Sequence, residues 1–302
     1  MSSAPTTLRT VLATGSLANP IKQGVISSPH VQLDFVDVDA VHVHDAFTPM
    51  IRQQAYDLCE LAIVSCLQAI AYGRPIVMLP VVVASRFQRG CLIAYRPRGV
   101  PAPAELAGKR IGVRAYTQTT GMWVRAHLTE DYGLLTPSMR WLTREPAHAE
   151  EYSDPPFVEN VGKAKSLPEM LRDGDIDAAI LGRDLPRDEE FAPVIADAAA
   201  RDQAWWQQHG FMPINHMMVV SREAIHRDPA AVQAAYGLLG QAYELNAAPA
   251  GTPDPLRYGF DALADPIRWI IEACLEQGLL TRRLSLDEVL GPAADLLGRA
   301  QA

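Results

Sequence analysis

The stretch Gly112-Val113-Arg114-Ala115-Tyr116-Thr117-Gln118-Thr119-Thr120-Gly121-Met122-Trp123-Val124-Arg125 reads as a short apolar strand that runs into a hydroxyl-rich loop and opens a helix. Such a turn receives anions. The first N–H groups of a helix have no intrahelical partner, the helix dipole places partial positive charge there, and Thr hydroxyls add donors. Arg114 and Arg125 flank the turn and bring charge-assisted donors. An ordinary capped helix has the same local pattern, so the reading is decided by what surrounds it.

Upstream, apolar runs predict strands over Leu8–Thr14, Gln32–Val38, Leu58–Val64 and Ile76–Val83, with helices near Asp45–Gln54 and Ser65–Tyr72. Leu92–Tyr95 leads through a Pro-punctuated turn over 101–110 into the strand Ile111–Val113. Downstream, a helix is expected over Thr119–Tyr132 and a strand over Arg140–Thr143. Trp141 to Val158 is rich in Pro, Glu and His and reads as a surface loop. Ser166 and Glu169 form a capping box for a short helix closed by Gly174, and Asp175–Leu181 follows as a buried strand. A helix near Asp202–His209 and a strand over Ile214–Val220 come next. From about Ala224 the chain reads as helical, with Pro229 and Pro266 near helix starts. Strand and helix in alternation make this an α/β protein.

The 302 residues are 48% hydrophobic and 21% charged, with a formal net charge of −8. That balance, with no Lys/Arg run, argues against a nucleic-acid or anionic-membrane partner and directs attention to a small anionic ligand in a locally basic site. The segment from Met1 to Pro20 lacks the apolar core of a secretory signal and no later run is long enough to span a bilayer, so a cytoplasmic location is expected. The four cysteines, Cys59, Cys66, Cys91 and Cys274, form no CxxC pair and read as reduced core residues.

Five segments in order carry a family resemblance: Tyr56-Asp57-Leu58-Cys59-Glu60-Leu61-Ala62; Leu79-Pro80-Val81 leading to Ser85-Arg86-Phe87-Gln88-Arg89; Tyr116 and Thr119 with Trp123-Val124-Arg125; Met170 to Ala178; and Pro213-Ile214-Asn215-His216. Over most of its length the chain resembles the 4,5-dihydroxyphthalate decarboxylases, which are similar in fold to type II periplasmic binding proteins. The resemblance implies two α/β lobes joined by two hinge crossovers, with a ligand cleft between them. In this chain the crossovers are expected near Leu92–Tyr95 and Ile214–Val220. One lobe would then be discontinuous, 1–93 plus 218–302 with the C-terminal helices, and the other 94–217. The chain departs from the family pattern at Ala115, where an acidic residue is usual, and at Gly90, where a His is usual.

Decarboxylation of a hydroxylated phthalate- or benzoate-like acid would leave an aryl carbanion unless the ring carbon is protonated first or in concert, so an acid must stand close to that carbon. His216 is the candidate donor, because imidazole titrates nearest neutral pH. Glu60, a carboxylate within an apolar strand, is the second catalytic candidate, orienting the imidazole or acting on a ring hydroxyl. Arg86, Arg89 and Arg125 are expected to hold carboxylate and phenolate oxygens, aided by Tyr116, Thr119 and Thr120, with Trp123 as a stacking wall.

His42-Val43-His44 followed by Asp45 leaves a divalent metal open, although two histidines before a helix capped by Asp45 explain the same residues; His44 remains a candidate substrate ligand. No other cofactor is expected. The competing function is a solute-binding protein of the same fold that holds a small anion without converting it. The leucine-rich tail beyond Ala224 is a candidate homo-oligomer face.

Overall fold

The computed structural model describes residues 4–38, 42–182 and 184–298. Up to Ser85 the chain forms β1 (Thr6–Val11), α1 (Ala18–Lys22), β2 (Val31–Phe35), α2 (Phe47–Gln53), β3 (Leu58–Ala62), α3 (Ile63–Ala71) and β4 (Ile76–Ser85). It continues as β5 (Leu92–Tyr95), β6 (Arg110–Val113), α4 (Thr119–Tyr132), β7 (Arg140–Thr143), β8 (Val158–Asn160), α5 (Leu167–Asp173), β9 (Ala178–Ile180), β10 (Phe191–Pro193) and α6 (Ala198–His209). Then follow β11 (Ile214–Ser221), α7 (Arg222–Arg227), α8 (Pro229–Asn246), β12 (Arg257–Tyr258), α9 (Asp261–Glu276) and α10 (Leu286–Leu297).

These elements form two compact units. The first holds the described residues up to Ser85, Ile214–Glu272 and the chain from Leu280 onward; the second holds Arg86–Pro213 with Ala273–Leu279.

The sheet of the first unit has the order β12-β4-β11-β3-β1-β2. β1 runs parallel to β2 and β3, while β11 is antiparallel to both β3 and β4. β3 is buried at every position, as a strand covered on both faces must be. Leu8, Leu33, Leu79 and Val220 pack with Val232, Ala235 and Leu239 of α8 in one core cluster.

In the second unit the order is β10-β5-β9-β6-β7-β8. β9, β6, β7 and β8 are parallel, so β6, β7 and β9 deliver their C-terminal ends to one edge. Gly112 lets β6 lie under its neighbours: a Cβ there would stand 2.5 Å from Ile176 Cδ1 and 2.8 Å from Leu167 Cδ2.

Several boundaries differ from the expectation. The apolar run at Leu58–Val64 divides after Ala62, where the chain turns into α3, because a buried strand and a buried helix share one composition. Asp45 does not cap a helix: it lies inside a 3-10 turn over Val43–Ala46, and α2 starts at Phe47. Pro266 lies within α9 rather than near its start. Proline removes the N–H that would bond the carbonyl of Ala262, and that oxygen accepts instead from Arg257 Nη1 at 3.3 Å. Leu92–Tyr95 pairs with β9 and β10 and is an internal strand of the second sheet, not a crossover; the chain passes from one unit to the other at Ser85/Arg86.

Candidate functional site

Polar chemistry in the first unit centres on β3 and β11. Glu60 pairs across the ladder with Met218, and Ala62 with His216, so Glu60 and His216 are diagonal neighbours on adjacent strands. Glu60 Oε1 lies 2.6 Å from His216 Nδ1. Glu60 Oε2 accepts the Ala13 N–H at 2.9 Å. Glu60 is 3% exposed and His216 22%, so the carboxylate is enclosed and the imidazole reaches outward from it. With Glu60 ionised its carboxylate only accepts, and the proton of this bond then sits on Nδ1. Phe47 stands edge-on to the imidazole with ring centroids 5.4 Å apart, which limits its rotation. On its other side β11 meets β4 with register shifts between Ile214, His216 and Met217, a local irregularity of the kind that re-aims side chains.

In the second unit the quoted turn opens α4 at Thr119. Gln118 is the N-cap and makes no side-chain capping bond, so Thr119 and Thr120 occupy the first two helical positions. Arg86 Nη2 donates to Thr120 Oγ1 at 2.8 Å, which places a guanidinium over the helix start. Thr119 Oγ1 and Gln118 Oε1 are buried without hydrogen-bond partners. A guanidinium, the leading N–H groups of a helix and unsatisfied polar atoms are together the chemistry that can take up an anion.

Other residues expected to hold the ligand are committed elsewhere. Arg89, 1% exposed, donates through Nε and Nη2 to both oxygens of Asp131, at 2.8 and 3.0 Å, and through Nη1 to Asp202 Oδ1 at 2.8 Å. It is a core tie between the turn at 89–91, α4 and α6. Burial pushes the Asp202 carboxyl up from its ordinary value while the Arg89 partnership opposes that shift.

Arg125 is fully buried. Its Nε donates to Gln277 Oε1 at 2.7 Å and its Nη2 to the Tyr116 carbonyl at 2.8 Å. Its guanidinium lies 4.1 Å from the Tyr116 ring centroid and 5.1 Å from that of Trp141. Burial lowers its pKa below the ordinary value for arginine. Tyr116 in turn donates its hydroxyl to the Gln277 carbonyl at 2.7 Å. Trp123 is fully buried among His127, Trp205 and Phe211. Tyr116, Trp123 and Arg125 therefore lie in the core behind the α4 turn. Arg86, Thr119 and Thr120 form the turn itself.

His44 lies three residues before Phe47, 38% exposed, with Nε2 3.5 Å from Asp45 Oδ1. Among the described residues no group of three or more His, Cys, Asp or Glu side chains comes together as a metal site. The cysteines are free and buried, and burial pushes the Cys274 thiol up to about 12 and the Cys66 thiol higher still, so neither is an activated nucleophile. No helix among the described residues is long and apolar enough to cross a membrane.

Three contributors escaped the sequence reading. Ala13 acts through its backbone N–H, which leaves no side-chain signature. Phe47 lies at the first position of α2, outside the quoted segments. Gln277 sits in the C-terminal stretch, where only sequence-distant contacts with Tyr116 and Arg125 reveal its role.

No family model matches the chain. It is 28% identical to the 4,5-dihydroxyphthalate decarboxylase of Comamonas testosteroni over 66% of its length, and spans 64% of that relative. It is 30% identical to the 4,5-dihydroxyphthalate decarboxylase of Pseudomonas putida over 55% of its length, spanning 68% of that protein. The match thus spans about two thirds of these curated relatives. Among solved structures, the alkanesulfonate-binding protein SsuA of Xanthomonas axonopodis aligns over 96% of this chain and 98% of its own, with a TM-score of 0.56 at 15% identity. The desulfurization enzyme DszB aligns over 98% and 99%, with a TM-score of 0.53 at 17% identity. The structural likeness establishes a two-lobe, periplasmic-binding-protein-like α/β fold, and with the sequence matches it shows that the chain belongs to the 4,5-dihydroxyphthalate decarboxylase family.

Proposed function

We propose that the protein is a carbon–carbon lyase that decarboxylates a hydroxylated aromatic carboxylic acid, with His216 as the proton donor. The observation that carries this reading is the enclosed Glu60–His216 pair. A protein that only holds an anion has no need of a buried carboxylate fixing one imidazole nitrogen, whereas a proton donor must be oriented and recharged between turnovers. The names of the sequence relatives support the same chemistry.

Glu60 fixes the proton on Nδ1 and leaves Nε2 as the nitrogen that delivers the catalytic proton. A ring hydroxyl in conjugation with the carbon that bears the carboxylate gives its proton to solvent and, as phenolate, pushes electron density to that carbon; solvent returns the proton to the phenolate once the aromatic ring is restored. That carbon takes the proton from Nε2 of the imidazolium, the bond to the carboxylate breaks, its electron pair restores the aromatic ring, and CO₂ leaves. Solvent then returns a proton to His216. Glu60 stabilises the imidazolium before transfer and keeps the ring oriented after it. Arg86, with Thr119 and Thr120, anchors an anionic oxygen of the substrate.

The test is a panel of hydroxylated benzoates and phthalates incubated with the purified protein, with released CO₂ and the aromatic product both identified. Release from one or a few of these acids supports the reading. Ligand-induced thermal stabilisation without release would support the anion-holding alternative instead.

A further inference from the structure

At the C-terminal edge of the second sheet, where β6, β7 and β9 end, lies a cavity of about 100 Å³ lined by Arg114, Gln118, Arg144, Ser166, Gly182 and Asp184, among others. Pockets for drug-sized ligands occupy roughly 300–1,000 Å³, so this one admits an acid group and not a whole aromatic substrate. Its walls are unusual for so small a space. Two guanidinium groups line it, and repulsion between like charges needs a counter-charge.

The surrounding carboxylates meet that requirement only in part, with Glu169 also within the reach of the Arg144 charge. Arg114 directs Nη1 to Glu145 Oε2 at 3.2 Å, but Glu145 shares its other oxygen with Lys163 at 3.1 Å. Arg144 Nε is buried without a hydrogen-bond partner. Asp184 is the carboxylate in the lining, and its Oδ1 is occupied by the Gly182 N–H at 2.8 Å. Ser166 spends its hydroxyl on the Glu169 carboxylate. Gln118 Oε1 is also buried and unpartnered, and its amide can turn to present its NH₂.

The two arginines are held in place by their own backbone, the N–H groups of Arg144 and Glu145 both donating to the Arg114 carbonyl, at 3.0 and 2.9 Å. Gly182 has no side chain to fill the space: a Cβ there would lie 3.5 Å from Gln118 Nε2 and 3.6 Å from Arg86 Nη2.

We propose that this cavity is an oxyanion-binding site, in which Arg114, Arg144 and the Gln118 amide hold a carboxylate, sulfate or phosphate group beside the Arg86 anchor. The group is either a second acid function of the organic ligand or a free inorganic anion. In both cases the recognising chemistry is a guanidinium pair closing on planar or tetrahedral oxygens. The site stands on geometry of the second unit and does not depend on the decarboxylase reading.

Calorimetric titration of the intact protein with sulfate at low ionic strength tests it. Arg144→Gln and Arg114→Gln should each weaken sulfate binding by about tenfold or more, since each removes charge-assisted hydrogen bonds to the anion. Arg144→Lys should fall between, keeping the charge but losing the fork, and its melting curve separates a binding defect from a folding one. If phthalate displaces sulfate and benzoate does not, the occupant is the second acid group of the organic ligand. If sulfate and phthalate bind together, it is a free anion. Sulfate affinity unchanged in both Arg144→Gln and Arg114→Gln, lost only in Arg86→Gln, or undetectable in the wild-type protein would overturn the proposal.

Discussion

Glu60 Oε1 and His216 Nδ1 lie 2.6 Å apart on neighbouring antiparallel strands, with the other Glu60 oxygen held by the Ala13 N–H. The pair joins three strands of one sheet, because Ala13 follows β1, Glu60 lies on β3 and His216 on β11. An imidazole so tied has one fixed nitrogen and one left for chemistry.

Glu60→Gln keeps an acceptor for Ala13 and a hydrogen-bonding partner for His216 but removes the charge that favours the imidazolium. Turnover should fall by about 10²-fold, within the range general acid catalysis contributes, while KM changes little. Steady-state kinetics separates the loss in kcat from any change in KM. Unchanged turnover would separate Glu60 from the chemistry.

Arg86 and Arg89 are three residues apart in sequence and opposite in expected phenotype. Arg86→Met should raise KM about tenfold or more with melting temperature nearly unchanged, since it removes a charge-assisted anchor over the α4 start. Arg89→Met strands Asp131 and Asp202 in the interior. Breaking a buried ion pair by removing one partner costs about 3–5 kcal/mol, so the variant should fail by instability before its kinetics are reached. Denaturant titration and initial rates on the two variants distinguish these outcomes.

His127 is fully buried between Trp123 and Trp205, with both ring nitrogens lacking hydrogen-bond partners. Burial first, then the charges of Arg89 and His209, hold its pKa well below the ordinary value of 6.5. Below about pH 6.5 the unfolded chain takes up a proton that the folded chain refuses, so stability present above that pH is lost as pH falls, by at most about 1.4 kcal/mol per unit from this group. His127→Phe fills the same space without titrating and should flatten that part of the curve. Urea titrations between pH 7 and 5 on both proteins measure the difference; parallel curves would contradict it.

Chelation is expected to leave CO₂ release unchanged, because proton delivery by His216 and anchoring by Arg86 use no metal. Initial rates after exhaustive treatment with a chelator, then with divalent ions restored, check this. A rate lost and recovered would return attention to His42, His44 and Asp45.

Much of the fold was legible because its signals are local. Thr119–Tyr132 begins and ends as α4 does, with Gly133 left-handed at its C-terminus, and the Ser166–Glu169 capping box closes in the structure as read. Glu60 and His216 were legible for a different reason: a carboxylate and an imidazole in otherwise apolar strands demand partners, and here each is a partner of the other. The roles of Arg89 and Arg125 were not legible. A buried arginine and a ligand-binding arginine look alike until Asp131, Asp202, Tyr116 and Gln277 arrive from elsewhere in the chain. The strands β10 and β12 are too short to show any periodicity.

The most direct measurement follows CO₂ release by the wild-type protein and His216→Ala on the same aromatic acid, with ligand-induced thermal stabilisation recorded in parallel. The expected result is a loss of turnover of about 10²–10⁴-fold, the range a positioned general acid contributes, with the stabilisation retained. Equal turnover in the two proteins would contradict His216 as the proton donor.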